Sequence, residues 1–393
     1  SNRCGERKPP RLALSALLRT PSSALRAVPP PVATLPRVPP PPSRILIIRP
    51  SALGDVCRTV PALVSLRATY PHAQIDWLVQ DANAEAIRHH PALSNVIEFR
   101  RRQLSDGLQR GTTTPFFKFL GLLRRNKYDV VYDLQGLFRS GFMTWATRAP
   151  RRVGLKNARE LGWFGLTHKY NAPWTLHAVD RMLEVLKGDG VSINIDMRLY
   201  ASPASRERVA SDPQLRAGPF AVVAPTSRWL AKRWPADRFA VVAAELLNRG
   251  YAHVVLVGAP GERGQCAALT DLAARDPRVL DRIGQTSIAD LMALTEASSL
   301  VIANDSAVVH MAVGFDRPLI GLYGSTSPAA DGPYRRNADV IYHPFDPSIR
   351  HKALASNELM QRITTQEVLA RIPSPSIQSP GNPHPIPSAV TNH

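Results

Sequence analysis

Short unbroken apolar runs recur along the chain, each followed by glycine or a few polar residues and then by apolar positions at helical spacing. The first run, Ile45-Leu46-Ile47-Ile48, leaves no polar position for a wet face and suits a strand buried on both sides of a parallel sheet. It leads into Pro50-Ser51-Ala52-Leu53-Gly54-Asp55, a tight turn, and then into a helix over 56–70 that packs Val60, Leu63, Val64 and Leu66. Strands are predicted over 74–79, 95–99 and 128–134, with helices over 83–90 and 116–126 and a polar loop after Arg100-Arg101-Arg102. Alternating strands and helices predict a parallel sheet with right-handed crossovers. A helix over 177–187, the pair Gly188 and Gly190, and an irregular stretch over 202–218 mark a boundary. The second half repeats the pattern, with strands over 220–224, 253–258, 300–303 and 319–323, the last completing its sheet.

The expected class is therefore α/β, with one domain over 44–190, a linker over 191–218 and a second domain over 219–372. The flanks 1–43 and 373–393 are rich in proline and poor in core-forming residues, and disordered extensions are expected there. The amino-terminal flank is also rich in Arg and Ser and nearly free of acids, as transit peptides are, although its prolines break an amphipathic helix.

A length of 393 residues with 44% hydrophobic content accommodates both domains. A formal net charge of +18 favours an anionic partner: nucleic acid, a phosphorylated sugar or an acidic membrane. No apolar run reaches the roughly 18 residues that span a bilayer, so a soluble or peripheral protein is expected. The cysteines, Cys4, Cys57 and Cys266, are too far apart for a zinc ribbon or a disulfide framework, which points to a reducing compartment.

The loops at the carboxyl ends of parallel strands are where such sheets bind ligands, and they hold the candidate chemistry. Gly54 lets backbone approach a ligand closely. Asp55 is either a catalytic carboxylate or an N-terminal helix acid. After the strand at 128–134, Asp133, Gln135 and Arg139 are placed to face the same cleft. The basic and aromatic stretch 148–169, with Arg159, reads as a clamp for an anionic acceptor or as a solvated face with packed rings.

In the second half, Thr226 and Ser227 offer hydroxyls and N–H groups, Lys232 a point charge, and Ser306 with Ala307 the free donors of a helix start. Together they suit a diphosphate. Glu262 is placed either to accept ribose hydroxyls or to serve as a first-turn helix acid, and His310 is structural or catalytic. Gly258, Gly261 and Gly264 are not spaced as a dinucleotide fingerprint, and no P-loop occurs. There is no Asp-x-Asp pair and no ligand spacing of histidines, so no metal and no cofactor are expected. No aromatic strand platform suggests nucleic-acid binding.

These residues together resemble the lipopolysaccharide heptosyltransferases of glycosyltransferase family 9, most closely the type I enzymes. The likeness runs from about residue 44 to 372. It rests on Ser51-Ala52-Leu53-Gly54-Asp55-Val56, Thr59-Val60-Pro61-Ala62-Leu63, Asp133-Leu134-Gln135-Gly136-Leu137, Ala158-Arg159-Glu160, Lys232-Arg233-Trp234-Pro235, Gly258-Ala259-Pro260, Asp305-Ser306 through His310, and Tyr323-Gly324-Ser325-Thr326.

The resemblance implies a GT-B fold, with two Rossmann-like domains facing a central cleft. It also implies inverting, metal-independent transfer of heptose from ADP-heptose to a Kdo-bearing inner-core acceptor. Asp55 then matches the general base and Lys232 the phosphate-binding lysine. Asp305 and Ser306 match the donor-sugar and diphosphate loop, and Arg159 an acceptor-side arginine. The full donor set is Thr226, Ser227, Lys232, Glu262, Asp305, Ser306, Ala307 and His310; the acceptor set is Ser51, Gly54, Gln135, Arg139 and Arg159. Ala307 departs from the family's usual glycine, and its methyl narrows the phosphate cradle. The implied partners are a nucleotide-sugar donor, an anionic glycolipid acceptor and an anionic membrane, without nucleic acid, at the cytoplasmic face of the inner membrane. The alternatives are a GT-B nucleotide-sugar epimerase and a family member using another nucleotide sugar.

Overall fold

The computed structural model describes residues 40–345 and 356–375. The extensions expected at 1–43 and 373–393 fall largely outside the described residues.

Among the described residues two six-stranded, wholly parallel sheets organise the fold. The first contains β1 (Arg44–Ile48), β2 (Gln74–Gln80), β3 (Asn95–Phe99), β4 (Val130–Asp133), β5 (Arg151–Leu155) and β6 (His168–Tyr170) in the order β3-β2-β1-β4-β5-β6. The second contains β7 (Phe220–Ala224), β8 (His253–Leu256), β9 (Val279–Asp281), β10 (Leu300–Asn304), β11 (Leu319–Tyr323) and β12 (Val340–Tyr342) in the order β12-β11-β10-β7-β8-β9. Counted within its own half, each sheet has the doubly wound order 3-2-1-4-5-6. The order reverses between β1 and β4 and between β7 and β10, and each reversal opens a crevice at the carboxyl ends of those strands. In the first sheet Ile47 sits between Trp77 and Tyr132 in register, and β1 is buried along its apolar run.

The helices are α1 (Leu53–Arg58), α2 (Val60–Thr69), α3 (Arg101–Gln109), α4 (Thr114–Arg125), α5 (Phe138–Ala146), α6 (Ala178–Gly188), α7 (Pro203–Ser211), α8 (Ala236–Asn248), α9 (Ala267–Arg275), α10 (Ile288–Ala297), α11 (Ala307–Gly314) and α12 (Pro328–Asp331), followed by two short ones at Glu358–Gln361 and Thr365–Leu369.

Several elements differ from the expectation. The helix predicted over 56–70 is two helices, because Pro61 has no N–H to continue the ladder and Thr59 hydrogen-bonds the Asp55 carbonyl through its hydroxyl (2.8 Å). A 3-10 turn at Asp81–Ala86 stands in place of the helix over 83–90. The polar loop after Arg100 is α3, and the irregular boundary stretch contains α7. β5 and β6 run through the basic stretch 148–169, and β12, not β11, ends the second sheet.

One apolar cluster passes through both halves. It includes Ile45, Trp77 and Tyr132 from the first sheet, Leu199 from the connection, and Val222, Val301 and Tyr323 from the second. Among the described residues no helix is long and apolar enough to cross a membrane.

Candidate active site

At the first crevice β1 runs into Arg49, and Asp55 lies in the first turn of α1. The Asp55 carboxylate accepts a hydrogen bond from the Ala52 N–H (3.2 Å), so it does close the helix start. It is also paired with Arg49 (3.1 Å) and with Arg58. Burial alone would raise its pKa, but the two guanidiniums outweigh that and hold the carboxyl well below the usual carboxylate range. Arg49 also donates to the Leu134 carbonyl. Arg58 crosses to the other half of the molecule, where it binds the Asp331 carboxylate (3.0 Å) and carbonyl (3.1 Å).

Asp55 opens onto a cavity of about 270 Å³ whose walls include Arg49, Arg58, Gln135, Arg159, Trp174, Arg181 and Asp331. Arg159 and Arg181 lie against the Trp174 ring, 4.3 and 4.6 Å from its centroid. Four guanidiniums against two carboxylates leave an excess of positive charge that suits an anion. Of the expected acceptor set, Gln135 and Arg159 line the cavity. Ser51 joins them through its N–H, which donates to the Gln135 side chain (3.4 Å).

Asp133 and Arg139 do not face this cleft. Asp133 is buried and accepts from the Gln135 and Gly136 N–H groups (3.0 Å each), bracing the loop. Burial raises its pKa to about 6 against those donors. Arg139 points to a separate apolar cavity between α3, α4 and α5, because it lies on the far side of the turn that carries Gln135. The basic stretch 148–169 is divided: Arg159 faces the cavity, whereas Arg152 binds the Gly165 carbonyl (2.7 Å) and Lys169 covers Trp163 (4.9 Å).

Around the second crevice several residues of the expected donor set lie close together. Lys232 pairs with Asp305 (2.6 Å). Asp305 and Ser306 follow β10 and precede α11, whose first turn has no side-chain cap. The Ser306 hydroxyl is buried without a hydrogen-bond partner among the described residues. Free donors at a helix start beside a lysine fit a phosphate. Thr226 and Ser227 are buried at the end of β7, and Gly258 closes on Thr226 so tightly that a Cβ there would stand 2.7 Å from the threonine oxygen. Asn304 ties the two loops together, donating to the Pro225 carbonyl (2.6 Å) and accepting from the Trp234 N–H (3.1 Å). Glu262 binds the Ala259 N–H within its own turn (3.1 Å).

The two rims meet at Gly54. A Cβ there would stand 2.7 Å from His310 Cδ2 and 3.4 Å from the Ala307 Cα. Burial, then the charge of Arg58, drives the His310 pKa far below its ordinary value; Asp55 opposes this and Lys232 adds to it. One imidazole thus feels both the candidate base and the candidate phosphate lysine. Arg49, Arg58, Trp174, Arg181 and Asp331 were not singled out by sequence; of these only the Asp55–Arg58 spacing, one helical turn, carried a local signal. Among the described residues no group of three or more His, Cys, Asp or Glu is placed to hold a metal ion.

The family model of glycosyltransferase family 9 (heptosyltransferase) matches residues 116–360. The chain belongs to that family. As a family 9 member it is 29% identical over 305 residues to lipopolysaccharide heptosyltransferase 1 of Pseudomonas aeruginosa, covering 75% of this chain and 82% of that one. It is 26% identical over 327 residues to lipopolysaccharide heptosyltransferase 1 of Escherichia coli K12, covering 82% and 99%. Among solved structures, E. coli heptosyltransferase WaaC with ADP superposes with a TM-score of 0.68 at 25% identity, over 83% of this chain and 97% of that one. E. coli ADP-heptose lps heptosyltransferase II superposes with a TM-score of 0.68 at 23% identity, over 84% and 97%. The fold of this family 9 glycosyltransferase is GT-B, with two Rossmann-like halves and a cleft between them.

Proposed function

We propose that the protein transfers heptose from ADP-heptose, with inversion at the anomeric carbon and without a metal, to a Kdo-bearing inner-core acceptor of lipopolysaccharide at the cytoplasmic face of the inner membrane. The observation that carries this reading is the juxtaposition, across His310, of the Asp55 cavity with the Lys232 and α11 anion cradle in a family 9 chain. Named relatives act on lipopolysaccharide, and one related structure holds ADP.

Asp55 accepts the proton of the acceptor hydroxyl as that oxygen attacks the anomeric carbon from the face opposite the diphosphate. Lys232, the α11 N–H groups and the Ser306 hydroxyl receive the charge that develops on departing ADP. Thr226, Ser227 and Glu262 hold the nucleotide, and Asp305 orients Lys232. Ser51, Gln135 and Arg159 form the acceptor side, and Gly54 lets their loop pack closely against α11. An acceptor anion that draws Arg49 to itself weakens the positive surroundings of Asp55 and so strengthens the base.

Asp55→Asn is expected to lower turnover by about 10²- to 10⁴-fold while ADP affinity by calorimetry stays unchanged. Equal loss of ADP binding would reduce Asp55 to a helix acid. Lys232→Ala is expected to weaken ADP binding, and unaltered binding would remove the diphosphate site. EDTA should leave transfer intact, and turnover of the nucleotide sugar should require an acceptor; conversion without one would indicate an epimerase.

A further inference from the structure

The solvent side of α5 is aromatic. Phe138, Phe142 and Trp145 recur at i, i+4 and i+7 and therefore share one helix face. Phe138 is 52% and Trp145 48% exposed. The stripe continues onto neighbouring elements. Phe164 lies beside Phe138 with ring centroids 5.4 Å apart, Phe116 stacks on Phe142 at 6.1 Å, and Phe117, 63% exposed, meets Phe116 at 5.7 Å. Phe142 in turn contacts Trp145 at 5.8 Å. Exposed apolar residues scattered singly need no explanation, but a contiguous patch marks an interaction surface.

Two further features say what covers it. Neither α4 nor α5 contains an acidic residue, and α4 carries Lys118, Arg124 and Arg125. Phe116 and Phe142 also wall an apolar cavity of about 230 Å³ whose rim holds Arg101 and Arg139. Aromatic rings set among cations match the region between lipid headgroups and hydrocarbon of an acidic bilayer. A second copy of this chain would bring an equally basic face against it. The patch also adjoins the acceptor cavity, since Leu137 lines that cavity and the next residue, Phe138, stands in the stripe.

We infer that the aromatic face of α4 and α5 docks on an anionic phospholipid bilayer, with Phe117 and Trp145 entering the interface and Arg101, Lys118 and Arg139 meeting headgroups. Docked this way, the Asp55 cavity opens next to the membrane surface. The inference rests on the reading above only in placing the acceptor in a membrane.

The test is flotation of the full chain with vesicles of phosphatidylcholine alone or mixed with phosphatidylglycerol. The expected result is binding to the mixed vesicles that weakens with salt, and a loss of about tenfold or more in Phe117→Ser/Trp145→Ser, because the buried apolar area is removed. The double variant should keep its melting temperature and its transfer rate to a water-soluble, deacylated acceptor. Trp145→Phe keeps a ring and should still float, but should lose part of the vesicle-induced blue shift in emission. Wild-type protein that ignores anionic vesicles, a double variant that floats equally well, or an unaltered blue shift in Trp145→Phe would overturn the inference. Absence of transfer in every form, with flotation intact, would instead count against the proposed reaction.

Discussion

A carboxylate held by two guanidiniums is a weak base, and Asp55 is so held. Its folded pKa lies below the ordinary 3.8, so the pairing contributes stability above that value and loses it as pH falls through the depressed one. For catalysis, kcat/KM of the free enzyme should show no acidic limb from Asp55 down to about pH 5. Arg49→Met removes one cause of the depression and leaves burial, which acts upward, so a limb should enter the accessible range from the acid side. A pH–rate profile in both proteins checks this, and an identical profile would mean that Arg49 does not control the Asp55 proton. The Asp55 loop was legible in sequence because it follows a buried run with a glycine turn. Arg58 and Asp331 were not, since they are 273 positions apart and only the closed fold joins them. Trp174 was hidden for a similar reason: it sits in an unpatterned loop, and its meaning comes from the two arginines packed on it.

The contact between α1 and α11 sets how closely the rims approach. Gly54→Ala places a methyl against His310 Cδ2 at 2.7 Å, inside van der Waals contact, so the buried His310 ring or one of the helices must shift. The expected cost is about 1–3 kcal/mol of stability, with turnover falling because Asp55 is the next residue. His310→Ala opens the space, and the double variant Gly54→Ala/His310→Ala should recover stability relative to Gly54→Ala alone. Thermal melts of the three proteins measure this, and strict additivity would show that the two residues are not coupled. The central strands of both sheets could be read directly, since residues buried on two faces write an unbroken apolar run. The outer strands after β4 could not: β5, second from the edge, begins Arg151-Arg152, and the edge strand β6 is His168-Lys169-Tyr170, so charged and polar residues break the apolar run and pairing makes the strand. α3 reads as a loop because charged and polar residues outnumber its leucines, although Leu104, which is buried, stands one helical turn before Leu108 and marks the inner face.

Two halves with separate sheets need not unfold separately, and here the packing argues that they do not. The cluster that holds Ile45 and Trp77 continues through Leu199 to Val222 and Val301, and Arg58 and Asp331 bond across the cleft (3.0 Å). Tyr334 adds a hydrogen bond to Asp180 on α6 (2.6 Å), and His177 binds the Gly332 carbonyl (3.1 Å). Opening either half exposes apolar surface of the other, which favours one cooperative transition. ADP, which on the proposed reading touches only the second half, should then stabilise the whole molecule. At about a hundredfold excess over Kd the gain is about 2.7 kcal/mol, and calorimetry should show a single endotherm moving upward intact. Two endotherms, of which ADP moves one, would mean that the shared cluster does not couple the halves. In that case the Arg58–Asp331 and Tyr334–Asp180 contacts would be reversible features of a closed cleft and not parts of a common core.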